Sequence, residues 1–348
     1  MNVPIAAVAA VLAVLGVDES RDTSRPRIDV VGAGLVTAGL VVTIAGLTSA
    51  VRHSWTSAEC LLPLTAGAVL VLGFVVRQRT SAAPLIAREL LRDARFRGSA
   101  AIVALASFAL LGVGWFMTPY LQNVAGYGAV AAGVRTLPLT ITTLFLAPGA
   151  GKIAVRKGPV PVLSVGLTLT IVATIAMTRV GPATGYGYLA STLFALGAGL
   201  ALALALPTAT SLMLEGVRPY QIGVASGVAA MSRQVGGASG LAVLATTGGR
   251  TAVADLHQRV AVSHQIDDLV SGGQVSTVGR TAGADVRDAA TSAFLYGFTA
   301  AMWVAAAAVA VGFGLALRLG PPRAKQDSSV LAGDGSTSVD DPAAERVS

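Results

Sequence analysis

Charge, cysteine and aromatic side chains are all scarce in this chain, and each scarcity closes off a class of protein. With one cysteine, Cys60, no internal disulfide can form. The three histidines, His53, His257 and His264, fall in loops between apolar stretches. Nowhere do His, Cys, Asp and Glu cluster at metal-ligand spacing, so no metal, haem or other cofactor is expected. Charged residues make up 12% of the 348, against about 25% in an average soluble domain. A mean hydropathy of +0.69 points the same way, and a water-soluble fold is excluded. The middle of every long apolar stretch lacks Asp and Glu, which leaves no carboxylate pair, and no buried nucleophile, for a membrane enzyme.

What the chain has instead is a succession of apolar runs at about residues 2–17, 29–49, 59–76, 98–122, 130–150, 160–179, 185–214, 221–246 and 290–317. An α-helix needs about 20 apolar residues to cross ~30 Å of hydrocarbon, and in lipid only helices or closed barrels satisfy their own backbone groups. The runs predict an all-α fold, a polytopic membrane helical bundle of about nine transmembrane helices with the lipid bilayer as its first partner. The run at 2–17 has no basic stretch before it and no cleavage site after it, so it reads as a span and not as a signal peptide.

A net charge of +7 and a pI near 10.1 do not point to nucleic acid, because the basic residues sit in short loops between the runs. They set the orientation instead. One alternating set of loops, around Arg21, Arg77–Arg97, Lys152–Lys157, Arg218 and the start of the tail at Arg318, holds 16 Lys and Arg; the other set holds 6. The richer set is expected on the cytoplasmic side of a multi-pass inner (cell) membrane protein, with the C-terminus inside and 247–289 as a long outer loop.

Polar groups inside spans are costly and are the first candidates for function. Arg233 lies near the middle of the run at 221–246, and at 100° per residue Ser226, Arg233, Gly237 and Gly240 share a helical face. The spacings Gly223xxxGly227 and Gly236xxxGly240 suit the close approach of another helix. Two readings of Arg233 stand: a guanidinium at a substrate cavity or gating contact, or one that bonds backbone carbonyls and locks packing. Gln234 is its polar neighbour. Arg135 lies just inside the end of its span, as a substrate or gating candidate or as a residue snorkelling to the headgroups. In PLIARELLRDARFRGS, Ile86, Leu90 and Ala94 fall on one face and Arg88, Arg92 and Arg95 on the opposite one, the pattern of a short helix in the interface or of a solvated linker. Beyond Gly320 the tail is polar and reads as disordered.

Several stretches together resemble the major facilitator superfamily, and within it the fourteen-helix drug:proton antiporters of the EmrB/QacA type. They are NVPIA at the start, RPRIDVVGAGLVTAGLVVTIAGLT, APLIARELLRDARFRG, APGAGKIAVRKGP, GAGLALALALPTAT and above all GVASGVAAMSRQVGGASGLAVL. The loop GKIAVRKG is similar to the family's cytoplasmic motif A at Gly151, Arg156 and Gly158, with Val155 where the motif has an acid. The resemblance implies that residues 1–17 are the last helix of an N-terminal half and 18–97 a linker with two extra spans. It makes 98–318 a six-helix C-terminal half and 319–348 a tail. On this scheme five of fourteen helices are absent, and an N-terminal half is missing from the chain. It also implies a multidrug efflux permease that exchanges small amphipathic drug-like substrates for protons, by rocking two halves about a midplane site. The alternative is a membrane remnant or scaffold without transport of its own.

Overall fold

The computed structural model describes residues 11–12, 16, 29–50, 56–81, 84–204, 209–214, 217 and 221–319, and every regular element among them is a helix. The expected span at 2–17, three residues apart, and the expected disordered tail lie outside the described residues.

The first two helices, α1 (Val30–Ser49) and α2 (Ala58–Thr80), form an antiparallel hairpin. Asp29 fixes its base. The buried carboxylate accepts the Gly32 backbone N–H at 2.9 Å, capping α1, and pairs with the Arg77 guanidinium of α2 at 2.9 Å. The bond from Gly32 and the positive charge of Arg77 hold the Asp29 carboxyl below the usual carboxylate range. A depressed pKa gives stability that is present above the unfolded value and lost as the pH falls through the folded one. Asp29→Asn is therefore expected to lower the apparent melting temperature in detergent at pH 7. The gap from the native chain should narrow only in acid below the carboxylate range.

The segment read as a short interfacial helix or a solvated linker divides at Asp93. Helix α3 (Arg88–Arg92) ends at Asp93, whose carboxylate accepts the Arg95 N–H at 2.7 Å and so starts α4 (Ala94–Pro119). Ile86 and Leu90 are buried, Ala94 is exposed, and Phe96 supplies the next buried contact. A π-helical turn at Tyr120–Val124 closes α4. Then follow α5 (Ala129–Lys157), α6 (Pro159–Met177), α7 (Tyr186–Leu204), α8 (Ala209–Leu214) and α9 (Ile222–Arg259), and after them α10 (His264–Ser271), α11 (Val275–Ala282) and α12 (Ala284–Arg318). Helices α4, α5, α6, α7, α9 and α12 form the bundle: α4 lies along α9, α12 touches α4, α6 and α9, and α7 packs between α5 and α6. The hairpin joins it through α1 and α9, where the Thr246 hydroxyl donates to the Ala50 carbonyl at 3.1 Å.

Among the described residues six helices are long and apolar enough to cross a membrane: α1, α2, α4 with its π-turn, α5, α6 and α12. Helix α7 is a shorter apolar helix. Helix α9 has 38 residues but falls short in hydropathy, diluted by Gly, Ser, Thr, Arg233 and Gln234.

The stretch expected to be a long loop at 247–289 is largely helical. α9 continues to Arg259, steadied by an Asp255–Arg259 ion pair one turn apart, and carries His257, which is thus not in a loop. α10 and α11 fold back over the bundle end. They bury Val270, Val275 and Val278 completely against a core that includes Phe116, Tyr120, Phe294 and Phe298. Low overall hydropathy hid these two helices, since each offers only one narrow apolar face.

Candidate functional site

On the first turns of α9 the exposed positions are Ile222, Gly223, Ser226, Gly227, Ala230, Arg233 and Gln234, a stripe at three- and four-residue spacing. Arg233 stands eleven residues into the helix, about 17 Å from its start. Among the described residues neither Arg233 nor Gln234 has a hydrogen-bond or ion-pair partner. The guanidinium is not spent on backbone carbonyls.

The expected glycine face divides into two. Gly236, Gly237 and Gly240 are buried against α4: a Cβ on Gly236 would run into the Ala104 carbonyl, one on Gly240 into the Phe108 carbonyl, and one on Gly237 into the Leu111 side chain. Gly223 and Gly227, expected to seat another helix, face open space, with nothing within 4 Å of a Cβ at either. They lie on the bare stripe, turned away from α4. Ser226 and Arg233 accompany them, at the border where α4 begins to cover the helix.

On α4, Leu111, Gly114 and Thr118 are exposed at three- and four-residue spacing. There a cavity of about 220 Å³ opens between α4, α5 and α7. Its apolar wall includes Val113, Leu139 and Leu193, and its polar groups are the hydroxyls of Thr118, Thr136 and Thr140. Apolar walls with a few hydroxyls are the make-up of a small-molecule site, though at about 220 Å³ this cavity is smaller than the ~300–1,000 Å³ usual for one.

Arg135 adjoins Thr136 but does not reach outward freely. Its guanidinium lies 3.8 Å from the centre of the Tyr127 ring and 5.4 Å from that of Tyr186. It donates to the Ala131 carbonyl at 3.2 Å, and the Tyr186 hydroxyl donates to the Arg135 carbonyl at 3.4 Å. The two tyrosines, like the three threonines and the Asp29–Arg77 pair, carried no sequence signal beyond their residue type, because their partners lie far off in the chain.

At the opposite end of α5, Gly151 is buried, Arg156 is exposed, and Gly158 makes the whole connection to α6. Its φ of 87° lies in the left-handed region that glycine tolerates, and Pro159 then opens α6 with its fixed φ. Val155, at the acid's place in the motif, is 87% exposed, and the geometry is that of a tight turn.

Residues 2–241 match the Major Facilitator Superfamily, well over half of the chain. The chain belongs to this superfamily. It is 30% identical over 245 residues to the tetracenomycin C resistance and export protein of Streptomyces glaucescens, covering 70% of this chain and 45% of that one. It is 33% identical over 263 residues to the cephamycin export protein CmcT of Amycolatopsis lactamdurans, covering 72% and 52%. To the puromycin resistance protein pur8 of Streptomyces alboniger it is 32% identical over 290 residues, covering 79% and 55%. The chain thus spans about half the length of the relatives it matches. Membership in the superfamily and the long apolar helices agree on a multi-pass membrane protein.

Proposed function

We propose that this superfamily member works in multidrug efflux of the EmrB/QacA type. It forms the C-terminal part of a transporter that exports small amphipathic compounds in exchange for protons. The observation that carries the reading is the exposed stripe of α9, on which Arg233 and Gln234, eleven and twelve residues into the helix, have no hydrogen-bond or ion-pair partner among the described residues. A charge facing lipid at the bilayer centre costs at least ~2.5 kcal/mol on insertion scales, so the stripe borders a watery cavity closed on its far side by a second helical bundle. The relatives named for resistance and export, and the half-length match to them, support the same picture.

Substrate then binds between the two bundles, touching Arg233, Gln234 and Ser226 from one side. Alternating access follows from one bundle rocking against the other. The described spans have no Asp or Glu near their middle, and the second bundle supplies the proton-binding group. The basic loop ends and the C-terminus face the cytoplasm of the inner membrane.

The test is dye efflux from energised cells that carry this chain alone or together with an N-terminal half from one of its relatives. Uncoupler-sensitive efflux is expected only with both; from the chain alone it would overturn the two-bundle reading. In the same cells a phosphatase fused after Arg156 should be inactive, and one fused within 247–289 active.

A further inference from the structure

At the basic end of the hairpin, the last turns of α2 and the loop into α3 enclose a groove of about 610 Å³, inside the ~300–1,000 Å³ range of small-molecule sites. Its floor is apolar: Phe74 and Ile86 are buried beneath it, and Val75 and Leu91 are exposed along it. Its rim is cationic, with Arg79, Arg88 and Arg92, and among the described residues no carboxylate lines it. Glu89 and Asp93 belong to the adjoining depression, which shares only Arg92 with the groove. Among the described residues none of the three arginines is paired with an acid.

The groove is built into the fold. Gln78, itself buried, donates its amide to the Ile86 carbonyl at 2.9 Å and accepts the Leu85 N–H at 2.7 Å, which clasps the loop to α2. Arg88 donates to the Arg79 carbonyl at 2.7 Å, which draws it across to the end of α2. One end of the floor runs on into Leu72 and Val76, exposed on the lipid-facing side of the same helix.

We propose that this groove seats one anionic phospholipid. The phosphate rests among Arg79, Arg88 and Arg92, where guanidinium groups offer paired donors to its oxygens, and an acyl chain follows Val75 and Leu91 onto the apolar flank of α2. Charge complementarity selects an acidic headgroup, and continuity of the floor with the bilayer-facing surface selects a lipid over a free anion. Basic pockets beside spans are a recurrent form of headgroup site. The inference needs only the membrane placement of α2, so its failure and the failure of the efflux reading are separable.

The experiment is native mass spectrometry of the full chain released from nanodiscs of mixed phosphatidylglycerol and phosphatidylcholine. The native chain should retain one phosphatidylglycerol in clear preference to phosphatidylcholine. Arg79→Gln with Arg92→Gln, which leaves the structural bonds of Arg88 intact, should weaken retention at least tenfold. Arg79→Lys with Arg92→Lys should keep most of it, and Leu91→Asn should weaken it with the charge unchanged. Millimolar inorganic phosphate should not displace the lipid. Equal retention by the glutamine variant, no preference between the two lipids, or full displacement by phosphate would each overturn the proposal; unchanged helical circular dichroism shows that the variants have folded.

Discussion

Replacing Arg233 by Ala, in a transporter with both bundles present, is expected to cut export at least tenfold while leaving the amount of protein in the membrane unchanged or higher. The side chain is exposed and makes no hydrogen bond or ion pair among the described residues. On the reading proposed above it borders the cavity, so a loss of transport at an unchanged protein level is a loss at the cavity. Lysine in its place keeps the charge but loses the flat, multi-donor geometry, and should restore export only in part. Efflux measured against membrane-protein level in the same cells decides the matter. A parallel fall in both would return Arg233 to a packing role, and export at the native level would remove it from the site.

The second large effect is expected at Gly240. Its Cα lies so close to the Phe108 carbonyl that any side chain collides with backbone, which cannot swing aside as a side chain can. Overpacking ordinarily costs about 1–3 kcal/mol, and a rigid obstacle puts Gly240→Val at or above the top of that range. Because α4 and α9 form the most extensive contact in the bundle, the expected result is loss of monodisperse protein on size-exclusion chromatography, with Gly236→Val behaving alike. Gly223→Ala and Gly227→Ala are the controls. Both positions face open space, and alanine is favoured over glycine in a helix by roughly 1 kcal/mol, so these two should melt no lower than the native chain.

How much of this was legible in the sequence depended on whether the signal was local. Apolar runs located the described long helices to within a few residues at most ends, because a span is a one-dimensional property of composition. The tight turn at Gly158–Pro159 was readable for the same reason. The glycine pattern of α9 was readable only by half: GxxxG spacing marks a helix that can be approached, but which of two such pairs is approached depends on where α4 ends up, and that is a property of the whole bundle. Asp29 carried no local signal of its ion pair, because its partner Arg77 comes 48 residues later. The tyrosine seat of Arg135 was likewise hidden, since Tyr186 lies 51 residues from the arginine it flanks. The polar helices after Arg259 were missed because they earn their place by covering the end of the bundle, and hydropathy does not register a lid.

The hairpin α1–α2 grips the bundle through α9, by Leu47, Ala50 and Cys60 against Ala242 and by the Thr246 bond. It is an outrigger bolted to the one helix that carries Arg233. The base is held to the same helix, where Val36 and Phe74 share an apolar cluster with Ala225 and Ala229 of α9 and with Phe96 of α4, so the locked Asp29–Arg77 end is coupled to the turns that carry the stripe. A spectroscopic label placed there reads the attitude of α9 like a pointer on a dial, without touching the cavity.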